Sequence, residues 1–467
     1  MENFSDEYEN NPYEDAEKQA MQAYKLYDKG DYEQSIAHID EAIKLNPLNS
    51  QWHFDKGLAL DSVGNFDDAI EEYKIALEAN PDDLETMNAI AVDYTRIGYY
   101  DKAIEIFEEI EHLNPDFEPC YCNRIITYTE MEQYEMAEEM FYMAQQIEPH
   151  CPLCYYNIGN SLFLQGDFEQ AVKCWMRVAE LEPEHPQINF RIAQAYWSQG
   201  RYQLAREYFI RELRKNPADT SAILDFGLFL LEINQLEAAK EKFNRILEFD
   251  SSKPEPYFYL GEIAFNNSDF KQAEELFNTA LEKNYNLKGP RYRLARLKLM
   301  QGDKRKARDY LIAEAQFACD DAEALVAMAS MFTEMSEYEY ATNCLLLSID
   351  SNPYNEDAFY YLGYLNMISG NLEDAQDFYS KTLELNPNHT TALRDLAAIA
   401  LAMGNLSNAN ERISRALKFS PADKKIKSLY RKTRLFTAID KTMDFLSRYK
   451  PRFLQNIRKP GRRTFYP

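Results

Sequence analysis

Apolar residues in this chain recur with the spacing of an α-helix, in short stretches that polar turn segments interrupt. Ala103, Ile104, Phe107 and Ile110 follow one another at intervals that place them on one face of a helix. The segment 96–101, RIGYYD, comes just before them and carries the glycine and polar residues of a turn. Because this alternation continues along the chain, it predicts an all-α fold of short antiparallel helices.

Proline and alanine repeat along the chain with a period of 34 residues. Proline stands at this interval at Pro47, Pro81, Pro115, Pro149, Pro183, Pro217, Pro353, Pro387 and Pro421. Twelve residues before each proline place, including the three places where proline is replaced, stand Ser35, Ala69, Ala103, Ala137, Ala171, Ala205, Ala239, Ala273, Ala307, Ala341, Ala375 and Ala409. A fixed period of this length indicates tandem repeats of one helix pair each.

The repeated residues resemble the tetratricopeptide repeat family, which has a small residue in the eighth place, alanine in the twentieth, an aromatic residue in the twenty-fourth and proline in the thirty-second. The eighth place reads Ala23, Gly57, Ala91, Ile125, Gly159, Ala193, Gly227, Gly261, Ala295, Ala329, Gly363 and Ala397. The twenty-fourth place includes Tyr73, Phe107, Phe141, Trp175, Phe209, Phe243, Phe277 and Tyr379. The resemblance implies a right-handed α-solenoid superhelix of twelve 34-residue helix-turn-helix repeats over residues 16–423.

Charge divides the chain into a long acidic part and a short basic part. The 467 residues carry a formal charge of −26, yet residues 424–467 hold 14 Lys or Arg against two Asp. Residues 1–15 are acidic and are expected to form a disordered tail, while residues 451–467 form a basic tail. Between the repeats and the basic tail, residues 424–450 are expected to form a C-terminal capping helix. Its apolar stripe consists of Ile426, Leu429, Phe436, Ile439, Met443 and Leu446.

The sequence lacks the motifs of catalysis and of membrane insertion. Thirteen of the 15 glycines occupy the eighth place or the turn between helices, which leaves no glycine-rich phosphate loop and no G-x-S-x-G elbow. No apolar run is long enough to span a membrane, and the acidic N-terminus is unlike a signal peptide. We therefore expect a cytoplasmic protein that is not an enzyme and uses no cofactor.

The resemblance implies that a partner binds the concave face, where the second, fifth, sixth, ninth and twelfth places of each first helix point. The fifth place is aromatic at Phe54, Tyr156, Phe190, Phe258, Tyr292 and Tyr360. Asn157, Asn160 and Gln194 would add amide donors for an extended peptide. Packing of these rings between neighbouring first helices is the alternative interpretation. Asn157 and Arg191 also match two of the five places of the dicarboxylate clamp, which is too few to predict binding of chaperone termini.

The ninth repeat is unusually basic. Nine bases lie between Lys288 and Arg308, with Asp303 as the only acid. Arg293 and Arg296 are three residues apart on concave places and form a candidate site for a carboxylate or a phosphate. A solvated face that balances acidic neighbours is the alternative interpretation.

Four cysteines and a histidine lie close together in sequence, in the segments PCYC at 119–122 and HCPLC at 150–154. Cys120 and Cys122 are two residues apart on one helix, so their sulfurs diverge and cannot readily share one ion. The candidates for a zinc site are therefore Cys120, Cys151, Cys154 and His150. Small apolar side chains at helix starts, or a redox pair of Cys151 and Cys154, are the alternatives.

These observations predict a protein-interaction scaffold that binds a peptide or protein segment in the concave groove. The partner is expected to carry an acidic or phosphorylated element held by Arg293 and Arg296. Two alternatives stay open: a subunit of a larger complex that makes contact through its surface and its basic tail, and an adaptor regulated by metal or redox chemistry at the cysteines. Nucleic acid is expected, if at all, only at residues 451–467.

Overall fold

The computed structural model describes residues 12–317 and 320–448, and all regular secondary structure in them is helical. The all-α fold predicted from the sequence is thereby confirmed. The chain divides into two compact units, residues 1–235 and 236–467. No helix in the described part has the length and apolar character that a membrane crossing requires.

The first unit contains helices α1 to α13. Their bounds are α1 Pro12–Tyr27, α2 Tyr32–Leu45, α3 Ser50–Ser62, α4 Phe66–Ala79, α5 Leu84–Arg96, α6 Tyr100–Leu113, α7 Glu118–Glu130, α8 Tyr134–Ile147, α9 Pro152–Gln165, α10 Phe168–Leu181, α11 Ile188–Ser198, α12 Tyr202–Lys215 and α13 Thr220–Glu232.

The second unit contains helices α14 to α25. Their bounds are α14 Leu236–Phe249, α15 Pro254–Asn266, α16 Phe270–Lys283, α17 Pro290–Met300, α18 Lys304–Ala315, α19 Ala322–Met335, α20 Tyr338–Ser351, α21 Glu356–Ser369, α22 Leu372–Leu385, α23 Thr390–Ala402, α24 Leu406–Phe419 and α25 Lys424–Arg448.

The sequence register assigns the odd-numbered helices up to α23 to the first helix of a repeat and the even-numbered ones to the second. Side chains of asparagine and aspartate cap many of the helix starts. At the start of α10, for example, Asp167 Oδ1 accepts a hydrogen bond from the backbone N–H of Gln170 at 3.1 Å. α1 begins at Pro12, so four residues of the expected N-terminal tail are helical.

The core lies between the two helices of each repeat and is built from the repeated small and aromatic places. The alanines of the twentieth place are fully buried throughout, for example Ala171 and Ala273. Aromatic side chains of the twenty-fourth place fill the space beside them; Trp175 and Phe277, for example, are at most 1% exposed. Close approach of helices at these places explains why the sequence holds small residues there.

The C-terminal helix α25 caps the array only with its first turns. Ile426 is 1% exposed and packs with Leu393, whereas Phe436, Ile439 and Met443 are 49%, 50% and 54% exposed. The expected apolar stripe is therefore not buried along its whole length. α25 has 25 residues and packs on α24, which has only 14, so the later turns of α25 extend beyond α24. The side chain of Leu446 and the tails 1–11 and 451–467 lie outside the described part of the chain.

Candidate functional site

A groove of about 780 Å³ opens between three first helices of the second unit, α17, α19 and α21. Its lining residues are Tyr292, Arg296, Leu299, Met300, Glu323, Val326, Ala327, Ser330, Met331, Glu334, Asp357 and Tyr361. These helices come from consecutive repeats, so the groove follows the stacking direction of the array.

The groove has an apolar floor and a charged rim. Tyr292, Leu299 and Tyr361 are half-buried and pack on the core beneath, beside the buried Val326 and Met331. On the rim, three exposed carboxylates, those of Glu323, Glu334 and Asp357, face the single exposed guanidinium of Arg296. The rim is therefore net acidic, and its field favours a positively charged ligand group.

Arg293 does not join Arg296 in a paired guanidinium site. Its Nη2 donates to Glu262 Oε2 of the preceding first helix, α15, at 2.6 Å, and its guanidinium lies 5.8 Å from the ring of Phe265. Burial raises the pKa of Glu262, and Arg293 opposes that shift. Arg293 thus neutralises a buried carboxylate between repeats, while Arg296 remains exposed on the groove.

Most of the fifth-place rings pack inside their own repeat, against the aromatic residue of the twenty-fourth place. Ring-centroid distances are 5.6 Å for Phe54–Tyr73, 6.2 Å for Phe190–Phe209, 5.9 Å for Phe258–Phe277 and 5.6 Å for Tyr360–Tyr379. These rings join the two helices of a repeat and do not form a continuous ligand wall. Tyr292, which lines the groove, and Tyr156, which lies 5.0 Å from the His185 ring, are placed differently.

The predicted amide and arginine residues of the first unit lie between neighbouring first helices. Asn157 is 5% exposed and donates to the Cys122 carbonyl oxygen at 3.0 Å. Gln194 donates to Asp225 Oδ2 at 2.7 Å and accepts from Arg191 at 3.4 Å. Asn160 is half-buried on α9. Asn157 and Gln194 use their donors to join consecutive repeats.

The cysteines group differently from the sequence prediction. Cys120 is fully buried and donates to the Phe107 carbonyl oxygen at 3.3 Å, away from the other cysteines. His150 is exposed at a loop, with its Nδ1 3.3 Å from Arg177 Nη2. Cys122, not Cys120, is the residue of α7 that faces Cys151 and Cys154. The sulfurs on α7 do diverge as expected, but Cys120, the one that the sequence interpretation chose, lies away from the group.

Sequence reasoning passed over the acidic rim and one member of the cysteine group. Glu323 and Asp357 occupy the second place of their repeats, and Val326 occupies a fifth place, so the register already pointed them to this face. The sequence prediction rested on basic and aromatic residues and therefore did not include these residues. Glu118 was missed because it is the first residue of α7, at a place with no recognised ligand role.

Comparison with known proteins gives similar solved structures at low sequence identity. The chain is similar to the solved structure of yeast Tom70, with 14% identity, a TM-score of 0.44 and coverage of 92% of this chain and 97% of that one. It is also similar to the APC/C hetero-tetramer Cut9–Hcn1, with 13% identity, a TM-score of 0.41 and coverage of 90% and 96%. A tetratricopeptide repeat protein from Parabacteroides merdae ATCC 43184 gives 16% identity, a TM-score of 0.43 and coverage of 57% and 99%. No curated protein matches the sequence.

Two sequence profiles described as tetratricopeptide repeat match more than half of the chain. The first matches residues 20–83, 55–116, 156–220 and 224–288, and the second matches residues 366–433. The matched segments contain the small, alanine and aromatic places that pack in the structure. The chain belongs to the tetratricopeptide repeat family.

Proposed function

We propose that the chain is a non-enzymatic scaffold that binds an extended segment of a partner protein in the groove between α17, α19 and α21. The observation that carries this proposal is an apolar floor with a charged rim on the first-helix face of three consecutive repeats. Members of the family bind proteins, which supports the general role. A cytoplasmic location stays a prediction from the sequence.

The partner segment carries basic and apolar side chains in this proposal. One guanidinium faces three carboxylates on the rim, and Arg293 is occupied by Glu262. An acidic or phosphorylated element, as expected from the sequence, would meet Arg296 alone and be repelled by Glu323, Glu334 and Asp357. Lysine or arginine side chains would pair with the carboxylates while apolar neighbours enter the floor. The rim is exposed, so binding would weaken as salt rises.

A peptide array tests the proposal, with the full-length chain as probe and basic–apolar and acidic–apolar peptides as ligands. Charge reversal in Glu334→Lys/Asp357→Lys alters two exposed rim carboxylates, of which that of Asp357 also lies 3.6 Å from His389 Nε2. We expect this variant to bind basic–apolar peptides at least tenfold more weakly than the wild type does. The matched control, Asp350→Lys/Asp377→Lys, makes the same charge change on the exposed surface of second helices. Equal loss in both variants, or a preference for acidic peptides, would contradict the proposal.

A second candidate function is a subunit contact through the exposed apolar face of α25. Leu435, Phe436, Ile439 and Met443 are between 49% and 60% exposed and lie close together on this helix, as apolar residues do on surfaces that contact a partner. This observation favours the alternative of a larger complex. Changing Phe436 and Ile439 to serine would abolish assembly in that case and leave groove binding intact. Unchanged assembly, measured by size-exclusion chromatography with light scattering, would remove this candidate.

A further inference from the structure

We propose that Glu118, Cys122, Cys151 and Cys154 form a zinc site that fastens α7 to α9 in the first unit. One ligand atom from each residue lies within 4.8 Å of the other three. No part of the groove in the second unit is involved, so this inference stands apart from the proposed function. Its basis is the geometry and chemistry of four side chains from two consecutive first helices.

The spacing of the four atoms suits a tetrahedral ion. Zinc–sulfur bonds of about 2.3 Å in a tetrahedron place sulfurs about 3.8 Å apart, within the span of this cluster. Cys154 Sγ already lies 2.9 Å from Glu118 Oε1. Cys122 and Cys154 are 1% and 2% exposed, while Cys151 and Glu118 are half-buried at the edge. The arrangement leaves an entry path for the ion and a largely dry interior for the complex.

Local backbone structure holds the ligands in place. Cys151 is the N-cap of α9 and Cys154 follows three residues later, so the Cys154 N–H donates to Cys151 Sγ at 3.4 Å. Glu118 is the first residue of α7. Three of the four ligands therefore lie at helix N-termini, where the helix dipole stabilises thiolates and carboxylates. The Pro152 that follows the cap fixes the start of α9.

A polar neighbour supports the sulfur of α7 from outside the cluster. Asn157 Nδ2, which donates to the Cys122 carbonyl oxygen, also lies 3.8 Å from Cys122 Sγ. An amide donor of this kind orients a thiolate ligand and tunes its charge. Metal binding would displace the protons of the three thiols.

Zinc is the ion that fits this donor set best. Three thiolates select thiophilic metals, and a carboxylate oxygen is also an accepted zinc ligand. Four protein ligands fill a tetrahedral zinc and leave no open position, as in structural sites. The ion would cross-link repeats that otherwise meet only through packing and a few polar contacts, so its effect is on the stability of this part of the array.

Cobalt and zinc titrations of the full-length chain test the site. Reduced, metal-free wild-type protein is expected to bind one Co²⁺ with strong thiolate-to-cobalt charge-transfer absorption, which equimolar Zn²⁺ removes. Cys122→Ser and Cys151→Ser should lose this absorption, and Glu118→Gln should weaken binding about tenfold. The matched control is Cys120→Ser, on the same helix as Cys122, because its hydroxyl can keep the hydrogen bond to Phe107.

Thermal unfolding gives an independent readout that does not depend on the fold of any one variant. Zinc should raise the unfolding temperature of the wild type and of Cys120→Ser, but not that of Cys122→Ser. The inference is overturned if the reduced wild type takes up no cobalt. It is also overturned if Cys120→Ser loses the signal while Cys122→Ser keeps it, or if the isolated protein holds Cys151 and Cys154 as a disulfide.

Discussion

At the residue scale, the turn between the two helices of a repeat requires a left-handed backbone whether or not glycine is present. Most repeats place glycine there, such as Gly98 with φ 80°. Four repeats use another residue with the same conformation: Glu132, Asn234, Ser268 and Ser336, with φ from 58° to 68°. A side chain with a Cβ pays a steric cost in this region, on the order of 1 kcal/mol.

Replacing the non-glycine residue of this turn by glycine should stabilise the protein, and replacing the glycine by alanine should destabilise it. Glu132→Gly relieves the strain and is expected to raise the free energy of unfolding by about 0.5–1 kcal/mol. Gly98→Ala should lower it by about 1 kcal/mol, and only through the backbone, because an added Cβ would meet nothing within 4 Å. Urea denaturation followed by circular dichroism measures both. A stability loss in Glu132→Gly would contradict this account of the turn.

Asp93 on α5 is a carboxyl group that the fold keeps partly protonated near neutral pH. It is 1% exposed, and its Oδ2 has no hydrogen-bond partner. Burial and the nearby Asp61 raise its pKa from the ordinary 3.8 to about 7, although Arg96, with Nη1 3.1 Å from Oδ1, opposes the shift. The folded state therefore holds a proton that the unfolded chain releases between about pH 4 and pH 7.

The stability of the first unit should fall as pH rises through this window, and Asp93→Asn should remove that fall. The contribution of Asp93 is fully present below pH 4 and is lost above pH 7, by no more than about 4 kcal/mol. The stability difference between Asp93→Asn and the wild type is thus expected to grow from pH 4 to pH 8. Asp82→Asn, at an exposed loop position, serves as the control. A constant difference across this range would show that Asp93 is ionised throughout.

At the element scale, the basic ninth repeat replaces part of its hydrophobic packing with a buried arginine. Arg291 on α17 is 2% exposed, and its guanidinium lies 4.3 Å from the Tyr285 ring and 4.8 Å from the Phe317 ring. It also donates to the Leu287 carbonyl oxygen at 3.4 Å and lies 3.8 Å from the buried Glu314. Aromatic stacking and charge neutralisation together allow this charge to be buried.

Removing Arg291 should destabilise the second unit strongly. Arg291→Ala leaves Glu314 buried without its counter-charge and is expected to cost about 3 kcal/mol or more. Lysine should restore less than half of the loss, because an ammonium group cannot stack between two rings as a planar guanidinium does. Arg305→Ala, an exposed position on α18, provides the comparison and should change stability by less than about 0.5 kcal/mol. Full rescue by lysine would contradict the stacking argument.

Neighbouring first helices are joined by polar contacts at sequence separations of 31 or 35 residues. Examples are Gln194 to Asp225 and Arg293 to Glu262, at 31, and Asn157 to Cys122, at 35. A 34-residue period brings these places side by side, but it does not say which partner a side chain chooses. That choice depends on side-chain length and burial, which the period does not give. The sequence therefore predicts Arg293 as a residue that binds a ligand, whereas the structure pairs it with Glu262.

At the scale of the whole molecule, the sequence predicted the fold far better than the sites. The 34-residue period, the small residues and the turn residues predict the helix pairs correctly, because each of these features reflects a steric requirement that recurs in every repeat. The sites depend on single departures from the period. The sequence prediction of a zinc site included Cys120 and not Cys122. Cys122, however, occupies the fifth place of its repeat and faces Cys151 and Cys154 at the start of the next first helix. The acidic rim went unnoticed because acidic residues are common along the entire chain.

Hydrogen exchange read by mass spectrometry tests whether a protein segment binds between α17, α19 and α21. The full-length chain is measured alone and with a basic–apolar peptide selected on the array. We expect slower exchange in residues 290–300, 322–335 and 356–369 of the wild type when the peptide is bound, and no such change in Glu334→Lys/Asp357→Lys. Protection confined to α25 or to the second helices, with these three segments unchanged, would contradict it.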